Sequence, residues 1–157
     1  MQLASLLEWI EALYLVRLIV TVPGLYPAIS ALHILGIGLL VGCIAVVDLR
    51  LLGVLGSPFD EALAGLVRVA LTGFAVAVLT GLLLVSVRIG SYAGNPAFIA
   101  KMAILLSAGT NAVALRVTAG SSNIKMLVGT PQGRLAAGLS LTLWGGAVFS
   151  GRWIAFL

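Results

Sequence analysis

Few residues in this chain can do chemistry, and those few are widely separated. His33 and Cys43 are each alone of their type, and the acids are five: Glu8, Glu11, Asp48, Asp60 and Glu61. A hydrolase triad needs a base and an orienting group beside its nucleophile, and a structural zinc site needs four ligands. Neither set can be assembled here. His33 has the widest scope. An imidazole in an apolar helix either ligates a transition metal, such as the iron of haem b or copper, or sits neutral and hydrogen-bonded across a helix interface. Residue type leaves both readings open. Met102 offers a thioether as a second axial ligand, and Arg88 and Lys101 are cations suited to haem propionates. Asp48 follows His33 by fifteen residues, roughly 22 Å of helix, so the two cannot share a site. Asp48 reads instead as the acidic half of a structural ion pair, with Arg50, Arg68 and Arg116 at its level. Asn111, inside an apolar run, calls for an interhelical hydrogen bond. Asn95, directly before Pro96, starts a turn. Cys43 lies among apolar residues and behaves as a small hydrophobe. The run Gly36-Ile37-Gly38-Leu39-Leu40-Val41-Gly42 has neither the spacing nor the preceding strand of a nucleotide loop.

The elements that must hold these residues are membrane helices. Hydrophobic residues make up 61% of the 157-residue chain and charged residues 9%, with a mean hydropathy of +1.20. A soluble domain carries about 25% charged residues and needs them to cover its surface. Lipid must therefore cover part of this one. Four stretches reach the ~20 largely apolar residues that a crossing requires: about 27–55, 63–87, 97–117 and 134–156. Gly53, Gly56, Ser57 and Pro58 break the first, the loop Ile89–Pro96 follows the second, and Gly129-Thr130-Pro131 precedes the fourth. Residues 3–22 carry apolar side chains at helical spacing together with Glu8, Glu11 and Arg17. Each charge would cost about 2.5–3.5 kcal/mol near the bilayer centre. A helix lying in the interface and ended by Val22-Pro23-Gly24 is expected. The fold class expected is all-α: one domain, a four-helix transmembrane bundle with an N-terminal interfacial amphipathic helix. The first residues lack a positive region, and Glu8 and Glu11 interrupt the apolar run, so no cleaved signal is expected. Small residues recur at four-residue steps in Gly38/Gly42, Gly73/Ala77/Gly81 and Ala147/Gly151, which suits close helix contacts within the bundle or between copies.

Four spans return both chain ends to one face. That face carries Arg17, Arg88, Lys101 and Arg152; the other carries Arg50, Arg68, Arg116, Lys125 and Arg134. The balance leans toward the second face being cytoplasmic. The net charge of +4 comes from single, scattered cations. They anchor headgroups and form no phosphate-binding stripe, so nucleic acid is not an expected partner. On this topology His33, about 9 Å into its span, is level with Arg88, Tyr92, Asn95, Lys101 and Met102. One end of the bundle gathers every candidate ligand, and Asp48 lies at the other.

Three runs also carry a resemblance: Tyr26-Pro27; His33 to Gly42 with Val47-Asp48-Leu49-Arg50-Leu51-Leu52-Gly53; and Asn95-Pro96-Ala97-Phe98-Ile99-Ala100-Lys101-Met102 with Asn111 beyond it. Over about residues 25–115 the chain resembles a family of small bacterial four-span membrane proteins defined by a domain of unknown function. The resemblance implies four passes and the bacterial inner (cytoplasmic) membrane. More remotely the chain is similar to copper resistance protein D and cytochrome b type membrane domains. Those carry further histidines, and only His33 has a counterpart here. Two functional classes follow. One is a non-catalytic membrane component that anchors or regulates a partner protein or a second copy of itself. The other is a redox or metal-handling subunit using His33. A small-molecule transporter ranks below both, since neither an internal repeat nor a broken helix is evident.

Overall fold

The computed structural model describes residues 9–119 and 124–154, and the described residues form helices and short turns with no strand. After a helical turn at residues 9–11 come α1 (Tyr14–Thr21), α2 (Leu25–Leu52), α3 (Leu63–Ser86), the short α4 (Ile89–Ala93), α5 (Pro96–Ala119) and α6 (Pro131–Trp153). Single 3-10 turns lie at Ser57–Phe59 and Ile124–Leu127. Among the described residues, α2, α3 and α5 are long and apolar enough to cross a membrane. α6 has 23 residues, but its apolar content is diluted by glycine, serine and threonine and by Arg134 and Arg152. Leu32, Ile34 and Leu35 on α2, Leu79 and Leu82 on α3, Leu106 and Val113 on α5 and Leu135 and Phe149 on α6 all point outward, exposed. A protein in water could not carry so continuous an apolar exterior.

Local chemistry explains the helix ends. α2 begins after Gly24 (φ 85°) and stops before Gly53 (φ 86°), both in the left-handed region that favours glycine. It thus ends three residues before the expected boundary at 55. α6 starts three residues earlier than expected, because the Thr130 hydroxyl accepts the Gly133 amide at 3.0 Å and Pro131 occupies the first turn. Asn95 caps α5 in the same way, its Oδ1 accepting the amides of Ala97 (2.9 Å) and Phe98 (3.2 Å). The expected loop Ile89–Pro96 contains α4, within which the Ser91 hydroxyl donates to the Arg88 carbonyl at 2.9 Å. Residues 3–8 of the expected interfacial helix lie outside the described residues. The remainder is interrupted at Ala12–Leu13, where Leu13 has φ −59° and ψ 141°.

α2 is the centre of the bundle. It packs along α3 on one side and α6 on another, α6 packs on α5, and α3 and α5 share no comparable interface. The α2–α3 seam is backbone against backbone. A Cβ on Gly36 would lie 2.8 Å from the Ala77 nitrogen, and one on Gly73 would lie 2.7 Å from the Leu40 nitrogen. Only hydrogen fits at either place. Gly73, Ala77 and Gly81 therefore form the packing stripe expected of them, whereas Gly38 and Gly42 face open space.

Candidate functional site

The absent α3–α5 interface leaves room inside the bundle. A cavity of about 340 Å³ opens between α2, α3, α5 and α6, toward the end where α2 begins. Its wall is mostly aliphatic, with Ile37, Leu40, Val41, Val85 and Leu105 among the lining residues. Trp144 lies at its inner end, 7% exposed, and meets Phe74 edge-on at 6.4 Å and 76°. The polar and soft groups on the wall are His33, Tyr92, Lys101 and Met102. Four residues expected at one level of the bundle thus line one space.

His33 is held in a defined state. Its Nδ1 lies 2.9 Å from the Ala77 carbonyl oxygen and 3.1 Å from the Thr80 hydroxyl. A carbonyl only accepts, so Nδ1 carries the proton. The Thr80 hydroxyl donates to the Val76 carbonyl at 2.6 Å and is left accepting from the ring. Nε2 then bears a lone pair, and it has no hydrogen-bond partner among the described residues. Gly81 makes the position possible, since a Cβ there would lie 2.9 Å from His33 Cε1. Lys101 reaches from α5 across to α6, its Nζ 3.2 Å from where a Cβ of Gly151 would stand. Among the described residues no carboxylate pairs with it.

The other expected site residues lie elsewhere. Arg88 is exposed ahead of α4 and does not line the cavity. Asn95 is occupied as the α5 cap. Cys43 is half-buried and packs against the cluster around Leu40 and Trp144. Among the described residues no group of three or more His, Cys, Asp or Glu side chains converges to hold a metal ion.

At the opposite end, the ion pair expected of Asp48 is not formed. Arg50 Nε instead binds Asp60 Oδ1 at 2.6 Å, and its guanidinium also donates to the Leu55 carbonyl at 3.1 Å. Lys125 stands 3.9 Å from Asp60 Oδ2. Two residues on a helix are roughly 200° of rotation, so Arg50 points away from the side that buries Asp48. Arg68 is exposed and bonds only the Ala64 carbonyl of its own helix, at 3.4 Å; Arg116 is exposed as well. Asp48 is 2% exposed, lies against Ser140 of α6, and leaves Oδ2 unpartnered. The hydrogen bond from the Arg50 guanidinium holds the Asp60 carboxyl below its ordinary range. Asn111 makes the interhelical bond expected of it, donating to the Ala136 carbonyl at 3.0 Å.

Sequence reasoning missed Trp144, Phe74, Gly81 as the seat of the imidazole, and Ser140. Trp144 did carry a signal, for a tryptophan in the middle of an apolar segment is away from the interface where tryptophan is favoured. Comparison with protein-family models, with curated proteins and with solved structures found no match.

Proposed function

We propose that the chain is a four-span protein of the bacterial inner membrane. In this reading it is a non-catalytic anchoring or regulatory component that holds a small apolar molecule drawn from the bilayer. The observation that carries the binding role is the 340 Å³ aliphatic cavity between the helices. Its volume falls in the range of ligand sites, about 300–1,000 Å³, and its wall suits a molecule already dissolved in lipid. α6 serves as the fourth span. Its packing against both α2 and α5 supports this, as does the outward placement of Leu135 and Phe149. The segment before α2 lies in the interface, which its charges Glu11 and Arg17 favour. The inner-membrane location rests on the resemblance carried by the His33 and Asn95 runs. The outward apolar faces leave room for a membrane partner or a second copy.

Organic extraction and mass spectrometry of protein purified in mild detergent test the reading. A stoichiometric hydrophobic molecule is expected, and it should be lost in Ala147→Phe, where a ring on a cavity-lining position 6% exposed would fill the space. Protein that retains no such molecule, and takes up none on reconstitution in native lipid, would overturn it.

A second reading, a redox or metal-handling subunit, is favoured by one observation. His33 Nδ1–H is fixed on the Ala77 carbonyl, which is how a ligating histidine is commonly oriented, and Met102 lines the same cavity. The residues do not fit haem b. At about 30 Å³ per water-sized group the space takes roughly a dozen heavy atoms, Arg88 is outside it, and no second imidazole faces His33. His33 and Met102 would suit a soft ion such as copper(I) better. Metal analysis after growth in copper decides this, with binding lost in His33→Ala expected on this reading and a metal-free protein opposing it.

A further inference from the structure

We infer that the molecule held in the cavity is a medium-chain carboxylic acid, with its acid group at His33 and Lys101 and its chain running in toward Trp144. The inference deepens the binding role proposed above and rests on it.

The cavity is chemically one-sided. Lys101, an ammonium with no carboxylate partner among the described residues, and His33, an imidazole with a free Nε2 lone pair, share the wall with Tyr92 near the end of the bundle. A charge among apolar helices is costly unless something of opposite sign or matching hydrogen-bonding capacity meets it. The two groups want different things. Lys101 only donates, so it calls for an oxygen acceptor, best an anionic one. His33 already donates its Nδ1–H to the Ala77 carbonyl, so Nε2 only accepts and calls for an O–H. A carboxyl group meets both demands, with one oxygen accepting from the ammonium and the other presenting its proton to Nε2. An alcohol presents a single oxygen to two partners, and an ester lacks the donor.

The rest of the cavity sets the chain. From His33 to Leu40 is seven residues of α2, about 10 Å along the helix, and Leu40, Leu105 and Trp144 line that inner part. The volume of about 340 Å³ admits roughly a dozen heavy atoms. This fits an acid of medium length and excludes a two-chained lipid.

Trp144 provides the test. In a Trp9→Phe, Trp153→Phe background it is the remaining indole, and a bromine at the end of a bound chain would quench it. The probes are ω-bromononanoic acid and its methyl ester, which both partition into detergent micelles. Saturable quenching by the acid is expected, weaker by about tenfold for the ester, as for the loss of about 1.4 kcal/mol. The Lys101→Gln variant should lose a similar factor for the acid and nothing for the ester, and Lys101→Arg should recover most of it. Equal quenching by acid and ester with Lys101 intact overturns the acid assignment and leaves the apolar binding role standing. No saturable quenching by either probe overturns both. Because the acid–ester contrast is read on protein with native Lys101, the result does not depend on how well the variants fold.

Discussion

Where α2 ends, Val47, Leu51, Leu63, Leu127 and Ala137 close on one another, and Leu51 and Ala137 keep no exposed surface. Where α2 begins, the corresponding space between the helices is a cavity walled by aliphatic side chains and tipped with His33 and Lys101. The same four helices build both ends, so composition does not separate them. What differs is closure. The 3-10 turn at Ile124–Leu127 folds Leu127 into the first end, and the Arg50–Asp60 pair ties α2 to the turn before α3. Among the described residues no element plugs the second end between α3 and α5. One end is therefore the rigid base, and the other has room for a guest.

Six substitutions break or sharpen that contrast. The largest effect belongs to the seam that holds both ends together. Gly73→Leu drives a side chain into the α2 backbone and should abolish the monodisperse folded protein in detergent, beyond the usual 1–3 kcal/mol of overpacking. Gly38→Leu, into open space, should leave the elution profile unchanged. Next comes the packed end against the open one. Leu51→Ala should lower stability by about 3 kcal/mol, whereas Met102→Ala, which enlarges an existing cavity, should cost under ~1 kcal/mol. Thermal unfolding of the pair measures the difference, and equal losses would mean that the cavity end is packed as tightly as the base.

Asn111→Leu removes the bond to the Ala136 carbonyl and should cost about 0.6 kcal/mol, the usual worth of such a bond between membrane helices. The smallest effect is at the Arg50–Asp60 tie. Because Arg50 holds the Asp60 carboxyl down, the tie contributes above the ordinary carboxylate value of 3.8 and is lost as pH falls through the lower folded value. The gap in unfolding midpoint between the native protein and Asp60→Asn should be present at neutral pH and vanish in strong acid. A gap independent of pH would mean that the carboxylate charge contributes nothing.

Much of the frame was legible because its signals are local. Apolar run length placed α2, α3 and α5 within three residues of their observed bounds, and depth along antiparallel spans brought His33, Tyr92, Lys101 and Met102 to one level. The same depth argument failed for Arg88 and Asn95, since level says nothing of what a side chain already bonds; Asn95 is taken up by the amides of Ala97 and Phe98. It failed again for Asp48, where proximity in sequence suggested Arg50 while helix rotation sent the two side chains in different directions. The short α4 went unseen because five residues of helix leave no periodicity to detect.

By itself the sequence determined an apolar exterior that needs lipid, the three long helices and the turns that end them, because hydropathy and glycine or proline chemistry act within a few residues. Tertiary structure alone decided that α3 and α5 stand apart around a cavity, that Trp144 floors it, and that Asp48 is buried against Ser140 while Arg50 turns to Asp60. Those outcomes depend on how each helix is rotated about its axis. That rotation is set by contacts such as Gly36 against Gly73, between residues far apart in the chain.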